Sequence, residues 1–272
     1  MVNAQINMKV VERNHVNISY TKTGKGDTTL LFVHGSFINK EYWAAQVEYF
    51  SHHYQVVAID LPGHGQSGKN RTSWTIQEFG EDVCTLIQEL QLKNIVLIGH
   101  SMGGDVILEA SARCPNVVIG FIGIDNFKNA GTEMSAETKA QVDQIMTQLK
   151  SDFSNTSGTF ARQILLSPTT DKKIVDKVVS DFRNMDKILG IDIIYSAFTY
   201  GTRERELMRQ MKLKMYLINV DNIPTNEEPL KNYASVGYEI IPIKGSCHFP
   251  MIENSDVFNL LLQDILIKMK NR

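Results

Sequence analysis

One serine in this 272-residue chain is placed where it could attack a carbonyl: Ser101, in Gly99-His100-Ser101-Met102-Gly103. In a G-x-S-x-G stretch the serine can stand at the apex of a sharp turn. The glycines on either side remove the side chains that would collide there. A free serine hydroxyl is a poor nucleophile and needs a base, and the base needs an orienting carboxylate. Of the seven histidines, His248 is the candidate base, in Lys244-Gly245-Ser246-Cys247-His248-Phe249-Pro250. His100 adjoins Ser101 but should point elsewhere at the turn, and His34 reads as a structural loop residue. Asp221 is the preferred acid, with Asp125 as the alternative. Both precede His248, so the order Ser, Asp, His holds for either. The negative charge of a tetrahedral intermediate needs backbone donors. The N–H of Met102 and the N–H of Ser36, in His34-Gly35-Ser36-Phe37, are the candidates.

These residues need a frame that brings them to one edge. Short apolar runs at residues 29–33, 55–59, 94–98, 117–124, 214–218 and 238–243 read as strands covered on both faces. Residues 16–23 alternate in the β manner and end at a Gly-Lys-Gly-Asp turn. Ile76, Phe79, Val83, Leu86, Ile87 and Leu90 share one helical face, as do Phe258, Leu261, Leu262, Ile265 and Met269. Strands alternating with helices imply a mainly parallel sheet with helices on both faces. Ligands bind such sheets at the carboxyl ends of the strands. Asp125 follows a predicted strand directly, and Ser101, Asp221 and His248 follow theirs within a few residues. Ser101 lies between the strand at 94–98 and an amphipathic run, the context the motif requires.

Residues 127–211 break the rhythm. They carry helical patterns and no convincing buried strand, so they read as a helical cap inserted over the strand ends. The core is then 1–126 and 212–272. Arg162, Arg183, Arg203, Arg205 and Arg209 of the insertion should mostly form a solvated face. Phe153, Phe160, Phe182, Tyr195, Phe198 and Tyr200 are available to line a pocket or to pack the cap onto the core.

The overall balance excludes several classes. Twenty-eight basic residues stand against 30 acidic ones, for a net charge of −2. No strong field would draw nucleic acid or an anionic membrane. No apolar run reaches the ~18 residues of a membrane span. The first twenty residues lack the apolar core of a signal peptide, so a cytoplasmic location is the default expectation. Cys84, Cys114 and Cys247 are odd in number and lack a C-x-x-C pairing, which argues against a disulfide framework and a zinc site. Cys84 and Cys114 read as buried, inert thiols.

His34-Gly35, Asp60-Leu61-Pro62-Gly63-His64-Gly65-Gln66-Ser67, Gly99-to-Gly104 and Gly245-to-His248 closely resemble the signature loops of the α/β-hydrolase superfamily, in the expected order. The resemblance implies an α/β-hydrolase fold: an eight-stranded, mostly parallel sheet with a helical cap inserted after the sixth strand. Two departures stand out. Asn219 occupies the usual glycine position of the loop after the seventh strand, Asp221 comes one residue early, and Asn222 stands where the acid is usual. Asp125 is at a position from which some relatives draw the acid. Cys247 stands where glycine commonly precedes the histidine. Serine at the turn disfavours the dehalogenase and epoxide-hydrolase chemistries, which use Asp there. The expected reaction is hydrolysis of a small carboxylic ester or thioester through an acyl-enzyme, with no metal or organic cofactor. The alternatives are a carbon–carbon bond hydrolase, a lyase-like enzyme, a cofactor-free peroxidase, or a ligand receptor with a vestigial triad.

Overall fold

The computed structural model describes residues 9–271. Its eight strands form one sheet: β1 (Lys9–Arg13), β2 (Val16–Thr23), β3 (Thr29–Val33), β4 (Gln55–Ile59), β5 (Ile95–His100), β6 (Val118–Ile124), β7 (Met215–Val220) and β8 (Tyr238–Ile243). The spatial order is β1-β2-β4-β3-β5-β6-β7-β8. β1 and β2 are antiparallel, β2 is antiparallel to β4, and the remaining pairs are parallel. Every residue of β3, β5 and β7 is buried, which is why these strands read as continuous apolar runs and not as alternations.

Helices cover both faces. α2 (Ile76–Glu89) and α3 (Met102–Arg113) pack against each other, α3 lying on β5 and β6. α1 (Ala44–Phe50), α10 (Pro250–Glu253) and α11 (Ser255–Lys270) pack together, with α1 on β4 and α11 on β7 and β8. α9 (Glu227–Tyr233) links β7 to β8. The strand β1 has no counterpart in the sequence reading. Only Val11 of its five residues is buried, so it carries no apolar run to betray it.

Between β6 and β7 come α4 (Ala136–Ser151), α5 (Phe153–Phe160), a π-helical turn (Ala161–Leu165), α6 (Lys172–Asn184), α7 (Lys187–Phe198) and α8 (Gly201–Gln210). Side-chain caps start α4 (Ser135), α5 (Asp152), α6 (Asp171) and α7 (Asp186), each accepting from a first-turn N–H. The segment is tied to the sheet side by several bonds. Tyr42 Oη donates to Asp181 at 2.7 Å, and the Ile76 N–H donates to Ser196 Oγ at 3.1 Å. Arg203 Nε donates to the buried Glu109 at 2.9 Å.

Cys84 and Cys114 correct the expectation of separate, inert thiols. The packing of α2 on α3 brings their Cα atoms to 6.3 Å, and the structure joins the two sulfurs. Spacing along the chain could not show this, because the pairing depends on which helices are neighbours. Cys247 is free and buried. No helix among the described residues is long and apolar enough to cross a membrane.

Candidate active site

β5 ends at His100 and α3 begins at Met102, so Ser101 alone makes the reversal. It does so at φ 53° and ψ −126°, a strained conformation for a residue with a side chain. The turn survives because the chain behind it is close-packed. A Cβ on Gly103 would lie 2.5 Å from the carbonyl oxygen of Val33, and one on Gly35 would lie 2.9 Å from Cβ of Ser101. Strand β3 and its following loop are therefore pressed directly beneath the serine. Among the described residues the Ser101 hydroxyl carries no hydrogen bond. Catalytic contacts of this kind often tighten only when substrate is bound.

The strand register brings Asp125 beside Ser101. His100 pairs with Ile124 across β5 and β6, so Ser101 and Asp125 leave the sheet side by side. The backbone confirms the adjacency, since the Ser101 N–H donates to the Ile124 carbonyl at 2.9 Å. Asp125 Oδ2 accepts from His248 Nδ1–H at 2.6 Å, which leaves Nε2 as the basic nitrogen. Asp125 Oδ1 accepts from the Val220 N–H at 3.2 Å and pairs with Lys128 Nζ at 2.8 Å. Burial pushes the Asp125 carboxyl up, but the hydrogen bond and charge of His248, followed by those of Lys128, outweigh it and hold it below the usual carboxylate range.

The preference for Asp221 is thereby corrected. That residue is exposed in the turn after β7, one strand farther from Ser101 than β6, and does not meet His248. Asn219, in the usual glycine position, accepts from the Asn126 N–H at 3.2 Å and donates to the Asn126 carbonyl at 3.0 Å. Asn222, in the usual acid position, donates to Cys247 Sγ at 3.2 Å. The two departures from the family pattern thus touch each other.

The histidine loop is held at three points, and the two besides Asp125 have no signal in the sequence. His100 Nε2–H donates to the His248 carbonyl at 2.7 Å, and the His248 N–H donates to the Leu165 carbonyl of the π-helical turn at 3.2 Å. Burial, followed by the nearby charge of His248, pushes His100 down to about 3, so it acts here as a neutral donor. π-Helical turns recur at functional sites, and this one carries the carbonyl that fixes the histidine. Lys128 also escaped the sequence reading. It reaches Asp125 because the chain turns back at Asp125 and Phe127, both at positive φ.

On the opposite side, Ser36 Oγ donates to Met102 Sδ at 3.4 Å, so the two candidate oxyanion donors belong to neighbouring residues. Met102 is the first residue of α3, where an N–H has no acceptor within the helix. His34 is buried. Its Nδ1–H donates to the Gly35 carbonyl at 2.7 Å and its Nε2 accepts from the Leu61 N–H at 3.0 Å, as a loop-shaping residue would. The arginines of the helical segment do not converge on Ser101. Arg203 serves Glu109, Arg205 serves Gly131 and Glu133, and Arg209 lies over the Tyr233 ring. Among its aromatics, Phe153, Phe182 and Tyr200 are buried, whereas Phe160, Tyr195 and Phe198 are exposed. Among the described residues no group of three or more His, Cys, Asp or Glu side chains could hold a metal ion.

Comparison with known proteins agrees with this architecture. Residues 28–176 match the family described as alpha/beta hydrolase fold. The pimeloyl-[acyl-carrier protein] methyl ester esterase of Sodalis glossinidius is 26% identical over 257 residues, covering 92% of this chain and 97% of that protein. The (E)-2-((N-methylformamido)methylene)succinate hydrolase of Acinetobacter baylyi is 36% identical over 105 residues, 39% of this chain. Several curated relatives are matched over only about two fifths of their own length, 40% in the Acinetobacter case and 41% in an acetyltransferase component of Cupriavidus necator. Among solved structures, an esterase from Exiguobacterium antarcticum superposes with a TM-score of 0.80 at 18% identity, over 94% of this chain and 96% of that one. With a sheet of this order, a serine at the strained β5–α3 turn and a family match over more than half its length, the chain belongs to the alpha/beta hydrolase fold family.

Proposed function

We propose that this chain is a serine hydrolase that cleaves a small carboxylic ester, or a thioester, through an acyl-enzyme on Ser101. The observation that carries the reading is the hydrogen bond from His248 to Asp125, formed at the strand ends beside a serine in a strained turn. His248 Nε2 takes the hydroxyl proton as Ser101 Oγ attacks the carbonyl carbon. Asp125 stabilises the imidazolium that results. The N–H groups of Met102 and Ser36 receive the developing oxyanion. As the tetrahedral intermediate collapses, the proton passes from His248 to the departing alkoxide or thiolate. Water then repeats the sequence against the acyl-enzyme, releasing the acid and restoring Ser101. This chemistry asks for no metal or organic cofactor. Residues 127–211 act as the cap over the site in this reading. The esterase name of the full-length Sodalis relative supports an ester as substrate.

The test is direct. A fluorophosphonate probe should label Ser101, and p-nitrophenyl butyrate should be turned over by the native chain but not by Ser101→Ala. Labelling elsewhere, or equal turnover by the variant, would sink the proposal.

A further inference from the structure

Residues 165–170 of the helical segment meet the loop that carries His248 at two places. The Leu165 carbonyl accepts from the His248 N–H at 3.2 Å, and Thr170 Oγ1 donates to Glu253 Oε1 at 2.9 Å. The other oxygen of Glu253 accepts from the Cys247 N–H at 2.6 Å. Both N–H groups of the Cys247-His248 pair are therefore held by this stretch, one directly and one through a carboxylate. We propose that Glu253 is a positioning residue that, with Thr170, couples the seating of the helical segment to the placement of the base. The inference rests on the reading of His248 as the base for Ser101.

Both partners of the Thr170–Glu253 bond are fixed in place. Glu253 ends α10, whose Pro250 and Met251 are buried and whose Met251 carbonyl accepts from Gln46 Nε2 at 3.2 Å. On the segment side, Thr170 Oγ1 also accepts from the Ser167 N–H at 3.0 Å, and the Thr170 N–H donates to the Ser167 carbonyl at 3.2 Å. That turn sets the hydroxyl so that its single proton goes to Glu253. Cys247 is buried, so its N–H loses a partner that water does not readily replace if the carboxylate swings away. Glu253 acts on the backbone beside His248, whereas Asp125 acts on its ring. When residues 165–170 move off, the Leu165 and Thr170 contacts part together. The N–H side of His248 is then released, while His100 still holds its carbonyl. A base held on one side only spends less time in line with Ser101, which costs rate. The seated segment is thus a condition for a competent base, and chemistry is favoured once the site is covered.

The experiment compares Thr170→Val, Thr170→Ser, Glu253→Ala, Thr169→Val and the double variant of Thr170→Val with Glu253→Ala. Each is followed by the rate of fluorophosphonate labelling and by turnover of p-nitrophenyl butyrate. Thr170→Val should lower the labelling rate and kcat about tenfold, with KM within about twofold of native. Thr170→Ser keeps the hydroxyl and should recover most of the loss. Glu253→Ala should lose at least as much as Thr170→Val. The double variant should lose no more than Glu253→Ala alone, because both changes break one chain of bonds. Thr169→Val alters the same turn at an exposed hydroxyl bonded to Ser167, and it should keep the native rate. A native rate in Thr170→Val, an equal loss in Thr169→Val, or losses that multiply in the double variant overturn the inference. If the native chain neither labels nor turns over the ester, the hydrolase reading fails. The low-field proton NMR signal of the His248–Asp125 bond then decides the coupling by itself. A signal weakened in Thr170→Val but not in Thr169→Val would keep the inference, and an unchanged signal would overturn it.

Discussion

Lys128 Nζ stands 2.8 Å from Oδ1 of Asp125, the carboxylate whose other oxygen accepts from the His248 ring. One buried carboxylate therefore serves two cations whenever the imidazole is protonated. The Lys128 charge weakens the pull of Asp125 on that proton. Groups facing the same loop are His100, whose ring is 4.7 Å from that of His248, and Glu253, which accepts from the Cys247 N–H. Neither replaces the lysine at Asp125. Lys128→Met should move the acidic limb of the kcat/KM profile to higher pH by about one unit. A pH–rate profile of the variant checks this. An unmoved limb would mean that the ammonium only ties down the turn.

Asp125→Asn and Asp221→Asn separate the two acids. Asp125→Asn should lower kcat by about 10³- to 10⁴-fold, since the amide cannot stabilise the imidazolium. Asp221→Asn should stay within about twofold of native, as expected of an exposed surface residue. Steady-state kinetics on p-nitrophenyl butyrate decides between them.

His100 donates to the His248 carbonyl and so holds the loop that carries that ring. In His100→Phe the ring contacts with Trp43 and Phe249 have a replacement, but the donor to the His248 carbonyl has none. A loosened base should cost about ten- to a hundredfold in kcat. The rate of fluorophosphonate labelling should fall in step, while the melting temperature changes by only a few degrees. A large drop in melting temperature with an unaltered labelling rate would contradict the assignment.

A pair of neighbouring carboxyl groups should act on stability. Asp105 of α3 lies against Glu204 of α8, and the Gly131 N–H donates to Glu204. Burial raises both groups, and for Asp105 the charge of Glu204 adds to it. The fold thus favours a retained proton. Its contribution is complete below the ordinary carboxylate range and is lost as pH rises through the raised values. The melting temperature of the native chain should fall on going from about pH 5 to about pH 9. In Asp105→Asn that fall should be smaller by about 2–4 °C. Parallel melting curves at the two pH values test it.

Much of the frame was legible because buried parallel strands leave continuous apolar runs. Residues 29–33, 55–59 and 238–243 have the bounds read from sequence, and G-x-S-x-G marked the β5–α3 turn. What escaped depended on neighbours in space. Asp125 and Asp221 both end strands and both precede His248, so chain order could not separate them. The sheet order does, by placing β6 and not β7 beside β5. Lys128, the Leu165 carbonyl and the joined Cys84 and Cys114 have no local signal, since each depends on a turn or on a packed pair of helices. β1 is mostly exposed and carries charged residues at Lys9, Glu12 and Arg13, so its pattern does not announce a strand.

The contact between Asn222 and Cys247 has a wider meaning for how such centres can be altered. Asp125, at the end of β6, bonds the His248 ring, while Asn222, in the turn after β7, presents an amide that bonds the sulfur of Cys247, the residue before that histidine. A carboxylate at position 222 would leave the Cys247 thiol without the amide it now accepts from, and would add an anion beside a ring already bonded to Asp125. An acid after β7 in place of Asp125 therefore calls for changes at Asn222, Cys247 and Asp125 together, which no single substitution supplies.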